Sequence, residues 1–487
     1  MNTQNKVNPL QGIFLTLVLS LKAILGGIVL LVSDSVTLLK SAWLYLFSSV
    51  MGVKQSPHVT QWHGIPSVLN IPAWENLDFN FWRKPTYIVP TLKGMVKNKV
   101  LWLLEERRVE VIPDELLIRW VTHGPVSRIT SVQNGIAKVD FSIVDSLVKD
   151  EDVFAHGPQM SWTLGQPETL SLTFRNGERY TPLDGAQWDL SKLHIQSCMS
   201  LLIAGRFHGN IHFGLPCTAA ASLSRLNKKG ILYQLLSPHL RFTLRINNEA
   251  LRVRRAQDRS KAYAPFAVDG DEFVRSIAAD VTEQLLEPGM RTPPWSTTIN
   301  DLPFNNYGKR YYDVIKRFVD NVIPSIEQNE LAQWQGFMNT YVPNFSAQEP
   351  AAAIATIIWQ VCILHSADHY SFEVLMASER YSFNKIRLKT PALSDVKKDM
   401  PQSQLLDLAC DPEDRFRSNV FVDTFARGHK HFLWSNTMDQ VRYRFKSSDL
   451  QQQAQQFQQE LLATEQQLEA EDINICPLNR VFQSICW

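Results

Sequence analysis

At 487 residues, 45% hydrophobic and 20% charged, the chain has a globular composition and is long enough to bury a sizeable core. A formal net charge of +1 excludes bulk attraction to nucleic acid or to any other strongly charged partner. Six scattered cysteines (Cys198, Cys217, Cys362, Cys410, Cys476 and Cys486) have no CxxC spacing, which argues against a zinc ribbon or a disulfide framework and leaves reduced structural thiols.

The N-terminus stands apart. Residues 12–32 are apolar, carry one charge at Lys22, and are long enough to span a bilayer. Ser33-Asp34-Ser35 then forms a turn or cap, and a second apolar stretch follows at 36–51, broken by Lys40. A spanning anchor is disfavoured by Lys22 near the middle of the run. A signal peptide is disfavoured by the lone Lys6 ahead of it and the lack of a small-x-small site. A helical hairpin lying in the membrane interface or over a lipid tunnel fits two apolar segments around a polar turn; two buried core helices are the plain alternative. The expectation is membrane contact, monotopic or anchored, with the rest of the protein cytoplasmic. The chain accordingly divides into a hydrophobic helical segment at 1–55 and a globular body at 56–487.

Within that body, residues 56–100 are rich in Pro, Trp and other aromatics and read as an extended connection. A helix is predicted at 101–120, with Glu105-Glu106-Arg107-Arg108 on its outer face. Alternating runs at 128–132 and 137–143 predict strands, and Leu170-Ser-Leu-Thr-Phe174 and Arg179-Tyr180-Thr181 predict a hairpin closed by a two-residue turn at Asn176-Gly177. Apolar periodicity predicts helices at 189–208, 215–236, 309–326 and 351–378. A loop is predicted at 286–307 from Pro288-Gly289 and Pro293-Pro294. The basic run Arg252-Val253-Arg254-Arg255 reads as a solvated face or a phosphate or lipid headgroup contact. Residues 449–472 form a Gln-rich helix with Phe457, Leu461, Leu462 and Leu468 on one side; their loose spacing predicts a solvated amphipathic helix and not a coiled coil. No internal repeat or Gly-rich phosphate loop is legible.

Two histidine pairs carry the chemistry: His208-Gly-Asn-Ile-His212 and His365-Ser-Ala-Asp-His369. An i, i+4 spacing sets two imidazoles on one helical face, one turn apart, where both reach one ion. Random placement of 12 histidines gives about 0.3 such pairs, so two are a modest excess. Each pair ends an apolar run, Cys198-Met-Ser-Leu-Leu-Ile-Ala and Ile357-Ile358-Trp359-Gln360-Val361-Cys362-Ile363-Leu364, so the histidines and Asp368 need buried partners. A shared metal provides them; ordinary hydrogen bonds between core histidines would too. Imidazole suits iron, manganese, zinc or copper. His194 and His239 are secondary candidates, each read singly as structural.

The same residues carry a family resemblance. Trp188-Asp-Leu-Ser-Lys192, then His208-Gly-Asn-Ile-His212, then Pro238-His239-Leu-Arg241-Phe-Thr with Ile246-Asn247 resembles the lipoxygenase catalytic domain. The hairpin Thr173-Phe-Arg-Asn-Gly before Thr181-Pro182-Leu183 is similar to the family's short strands ahead of that Trp. Phe304-Asn-Asn-Tyr307, Tyr312-Asp313-Val314-Ile315 and Phe318-Val319 resemble the segment before the second metal helix, and Ile358-Trp359 with Leu364-His365 resembles that helix itself. The likeness covers 170–487. It implies a mainly α fold, a lipoxygenase-like helical catalytic domain with a few short β-strands, preceded here by the N-terminal hydrophobic helices, with no counterpart of the family's N-terminal β-barrel domain.

The resemblance also implies one non-haem iron, or manganese as in some members, and dioxygenation of a polyunsaturated fatty acid by O2. In the family a metal(III)-hydroxide takes a bis-allylic hydrogen, and O2 adds to the resulting pentadienyl radical. By this likeness His208, His212 and His365 are the catalytic metal ligands, His369 stands where the family has a weaker Asn or His ligand, and the C-terminal carboxylate, here that of Trp487, completes the shell. Two departures stand out. The family separates its first two histidines by four residues across a helical bulge, whereas the gap here is three; counting from Trp188 puts His208 at the second ligand and Ile203 at the first, and counting back from His239 puts His212 on a non-ligand histidine. The terminal residue is Trp where the family has Ile. These departures keep two other readings open: a metal-dependent lipid oxidase, desaturase or hydroperoxide-converting enzyme, and a non-catalytic membrane lipid-binding protein on the same fold.

Overall fold

In the computed structural model, the described residues are 110–146, 156–247, 302–342, 349–371, 392–410 and 437–485, with strand pieces at 59–62, 65–68, 153–154 and 386–387 and single positions 345 and 390. The apolar stretches at 12–51, the first part of the helix expected at 101–120, Arg252, Arg254 and Arg255, most of the loop expected at 286–307, Cys486 and Trp487 lie outside them.

Alternating residues build the sheet. Strand β1, Val59–Trp62, pairs antiparallel with β2, Ile65–Val68. Strands β3 (Thr130–Gln133), β4 (Ile136–Asp140), β6 (Gln159–Thr163), β7 (Gln166–Thr173) and β8 (Arg179–Tyr180) form a five-stranded antiparallel sheet in that order. β5, Val153–Phe154, pairs separately with β9, Ile386–Arg387. In β4 the even spacing puts Ala137 and Val139 inside and the residues between them outside. Asn134 and Gly135 both have positive φ (52° and 76°), so this Asn-Gly is the two-residue primed turn that joins β3 to β4.

The hairpin expected at Asn176-Gly177 is present, but its loop has three residues. Thr173 pairs with Arg179, Phe174 N–H donates to Glu178 O, and Gly177 N–H donates to Phe174 O. Only Gly177 is left-handed (φ 87°), while Asn176 Oδ1 accepts from Glu178 N–H. A type I turn closed by a left-handed glycine is the alternative solution for this dipeptide.

The helices surround two long central rods. α1, Asp114–His123, leads to the sheet. α2, Ala186–Leu201, continues through a π-helical segment, Leu202–Phe207, into α3, His208–Phe213. α4, Leu215–Ser222, and α5, Ile231–Leu240, follow as two helices where 215–236 predicts one. The break is the Asn227-Lys-Lys-Gly230 turn, in which Gly230 N–H donates to Asn227 O. α6, Pro303–Val322, starts inside the expected loop because Pro303 takes a first-turn position that needs no N–H donor; it yields to a short 3-10 turn at Ile323–Ser325, which contains Pro324. α7, Gln328–Tyr341, precedes the second rod: α8, Pro350–Trp359, a second π segment, Gln360–Leu364, and α9, His365–Ser371. α10 is Gln402–Ala409 and α11 is Ser448–Ala470.

In α2 every residue but Gln187 and Asp189 is buried, as expected of a helix at the centre of a core. The rod Pro350–Ser371 is long and apolar enough to cross a membrane, but 83% of its apolar window is covered by protein. Polar anchors set the neighbours: Trp188 Nε1 and Lys192 Nζ both donate to Asp114 Oδ1 (3.0 and 2.9 Å), joining α1 to α2. Trp359 Nε1 donates to Gly308 O at 2.8 Å, and any Cβ at Gly308 would come within 3.3 Å of that indole.

The Gln-rich helix α11 corrects the expectation of a solvated element. Its buried residues, Leu450, Ala454, Phe457, Leu461, Thr464 and Leu468, alternate in steps of four and three, and Phe457 stacks on Phe318 of α6 at 4.3 Å. The stripe was hidden because Ala454 and Thr464 complete it, whereas Leu462 is 42% exposed and lies off it.

Candidate metal centre

Both rods change register immediately before their first histidine. His208 N–H bonds Ile203 O and His365 N–H bonds Gln360 O, each five residues back, the signature of a π turn. A π turn widens the helix and re-aims the residues after it, which is why such turns gather at functional sites. Here α3 and α9, each a short helical stretch with two histidines on one face, come side by side.

All four imidazoles meet. Ring centroids lie 4.5 Å apart for His208 and His212, 4.8 Å for His208 and His365, 4.5 Å for His208 and His369, 5.1 Å for His212 and His365, and 4.7 Å for His365 and His369. His212 Nε2 is 2.9 Å from His208 Nε2 and 3.2 Å from His365 Nε2. His208, His365 and His369 also each present a ligand nitrogen within 4.8 Å of the others. None of the four is more than 6% exposed.

The protonation pattern favours a cation between them. Asn247 Oδ1 lies 2.8 Å from His212 Nδ1, and Asn247 Nδ2 donates to the His212 carbonyl. With the amide in that orientation, His212 Nδ1–H is the donor and Nε2 carries a lone pair toward two other ring nitrogens. Burial, reinforced by the neighbouring His369, His212 and His365, holds His208 well below the usual histidine range, which favours the neutral form of this ring that ligates metals. Nitrogens about 2.1 Å from one ion stand about 3.0 Å apart on adjacent octahedral corners and about 3.4 Å apart on tetrahedral ones. The separations among His208, His212 and His365, 2.9 and 3.2 Å, lie near that range, and His369 shares a looser nitrogen cluster with His208 and His365, so the donor set fits a first-row metal ion.

Around the cluster, Ile203 is buried in the π segment and its side chain has no ligating atom, whereas the His212 ring lies beside that of His208. Asp368, on the same turn as His365 and His369, is wholly buried; its Oδ1 accepts from Arg128 at 2.6 Å. Its Oδ2 lies 3.8 Å from His208 Nδ1. Burial raises the Asp368 carboxyl to about 7 against the opposing pull of Arg128, whose own guanidinium burial pushes down. The need of Asp368 for a partner was legible; the identity of Arg128, 240 positions away, was not. Asn247 was visible only as part of a motif.

The secondary candidates have separate, structural roles. His239 Nδ1 donates to Gln483 O at 2.9 Å and its Nε2 accepts from Tyr443 OH at 2.8 Å. His194 Nδ1 accepts from His156 N–H at 3.1 Å. Cys198, Cys217, Cys362, Cys410 and Cys476 are buried and free of disulfides. The segment that leads toward Trp487 packs on α9, with Phe482 N–H donating to Ser366 Oγ at 2.9 Å.

No protein-family model matches the sequence, and no curated protein matches it. Solved structures do resemble it. The coral 8R-lipoxygenase superposes with a TM-score of 0.67 over 89% of this chain and 78% of that one, at 13% identity. A LOX variant solved anaerobically in complex with arachidonate gives 0.65 over 93% and 81%, at 11% identity. The manganese lipoxygenase of Gaeumannomyces graminis gives 0.60 over 89% and 95%, at 10% identity. The chain therefore has a divergent lipoxygenase-like fold, mainly helical with a few short strands, and carries a histidine-rich site within it.

Proposed function

We propose that this protein is a membrane-associated, lipoxygenase-like metalloenzyme that inserts O2 into a polyunsaturated fatty acid or related lipid. One observation carries the reading: four buried imidazoles from two separate rods converge, three of them with nitrogens 2.9 and 3.2 Å apart and His369 with its ring 4.5 Å from that of His208, inside a fold whose structural neighbours are lipoxygenases. His208, His212, His365 and His369 would hold iron or manganese, with the Trp487 carboxylate as a further ligand. The bound metal would supply one-electron redox chemistry and activation of a bound water.

The chain's own residues do the rest. The π turns direct His208 and His365 inward, Asn247 fixes the ring orientation of His212, and the apolar rods exclude water from the reacting carbon chain. A cleft of about 310 Å³ opens along the π segment of the first rod, lined by Ile129, Ile143, Leu202 and Phe207 with Arg206 and Asp140. Its apolar wall suits an acyl chain, and Arg206 offers a cation for a carboxylate.

The test is metal quantification joined to an oxygen-electrode assay with linoleate. The expected result is close to one iron or manganese per chain, O2 uptake, and a product heavier by two oxygen atoms; His365→Ala should lose both metal and uptake. Protein from its native host that holds no transition metal would remove the proposal. The position of Ile203 and His212 favours a second reading, an oxidase or hydroperoxide-converting enzyme, for which metal is retained but no doubly oxygenated product forms.

A further inference from the structure

The buried carboxylate beside the histidines has a geometry that a simple ion pair does not require. Arg128 enters from the 3-10 turn Pro125–Ile129, between α1 and β3. Its guanidinium carbon lies 5.2 Å from the Phe207 ring and 5.3 Å from the Phe304 ring, and its Nη2 meets Asp368 Oδ1 at 2.6 Å. Asp368 stands between His365 and His369 on α9, and its other oxygen is turned to Nδ1 of His208, on the opposite rod, at 3.8 Å. That is the side of the His208 ring away from Nε2, the atom that faces His212.

We propose that Asp368 is a positioning residue for the metal centre: Arg128 fixes its Oδ1, its Oδ2 faces Nδ1 of His208, and the His208 ring is thereby held as the Nδ1–H tautomer with Nε2 turned to the ion. This rests on the metal reading above. An acceptor oxygen facing Nδ1 favours the proton there and leaves the lone pair on Nε2, and a carboxyl group behind a ligating imidazole also orients it as a donor. Phe207 links the two functions, because it closes the π segment that aims His208 and its ring also packs against the Arg128 guanidinium. Two helices that share no ladder of hydrogen bonds thus receive a common reference, with α9 supplying both His365 and the group that orients His208.

The experiment titrates the metal-free full-length protein with Co(II), reading affinity and the visible d–d bands. Wild type is expected to bind with a defined band pattern. Asp368→Asn keeps an oxygen for Arg128 but puts an amide NH2 where the acceptor oxygen faced Nδ1; it should weaken Co(II) binding roughly 10- to 100-fold and shift the bands. Its far-UV circular dichroism should stay unchanged. Arg128→Lys keeps a cation without the guanidinium that packs against Phe207 and Phe304, and should weaken binding by a smaller factor. Asp368→Asn with wild-type affinity and bands overturns the proposal; if that variant fails to fold, wild-type behaviour of Arg128→Lys does so instead. Wild-type protein that binds no Co(II) at all sinks the metal reading itself, and the positioning role with it.

Discussion

His239 shows what a buried histidine looks like when hydrogen bonds alone satisfy it. Both ring nitrogens have conventional partners, in Gln483 O and Tyr443 OH, and burial pushes its pKa down to about 4. The folded protein therefore resists protonating this ring while the unfolded chain takes the proton near pH 6.5. The stability that neutral His239 supports is intact above that pH, is lost as pH falls from about 6.5 to about 4, and declines no further below. The slope is about 1.4 kcal/mol per pH unit. Urea unfolding of wild type and His239→Gln at pH 6.5 and pH 5 should show the smaller pH dependence in the variant. The clustered histidines differ in kind, since Nε2 of His212 faces the ring nitrogens of two other histidines, His208 and His365. Their i, i+4 spacing was legible from the residues; which nitrogen faces which neighbour was not, because Asn247 and Arg128 come from distant parts of the chain.

At the scale of elements, α11 offers a paired comparison. Phe457 stacks on Phe318 and also packs near Tyr443, whereas Leu462, five positions later, is exposed. Phe457→Ala should cost about 3–5 kcal/mol by opening the seam with α6. Leu462→Ala should change stability by no more than about 0.5 kcal/mol. Chemical denaturation of both variants checks this, and equal losses would mean that the seam is not the stabilising contact. The contrast also explains the misreading of the helix: small and polar residues can occupy a buried stripe when the partner surface is aromatic, so hydrophobic pattern alone understates it. The π segments are the reverse case. Apart from Gly205, nothing in Leu202–Phe207 or Gln360–Leu364 signals a break from the α-helix, and the widened turns are visible only in the backbone hydrogen bonds. The Asn-Gly dipeptides teach a similar point, since Asn134-Gly135 closes a two-residue turn and Asn176-Gly177 does not; strand register decided between them.

For the whole molecule, the membrane proposal rests on the apolar stretches at 12–51, which lie outside the described residues. Full-length protein should float with phosphatidylcholine liposomes in a density gradient, and protein lacking residues 1–55 should remain in the dense fraction while keeping its metal. Full-length protein that stays with the dense fraction would remove the membrane contact and leave the metal centre untouched. What the amino-acid order determined unaided was the kind of molecule: apolar periodicity is a local property, so a mainly helical body, its hairpin and the two helices bearing paired histidines could be read directly. What only the tertiary structure decided was convergence. Whether His208 and His212 meet His365 and His369 depends on two π turns and on how two rods pack, and packing is set by side-chain shapes contributed from across the chain, which no local pattern encodes.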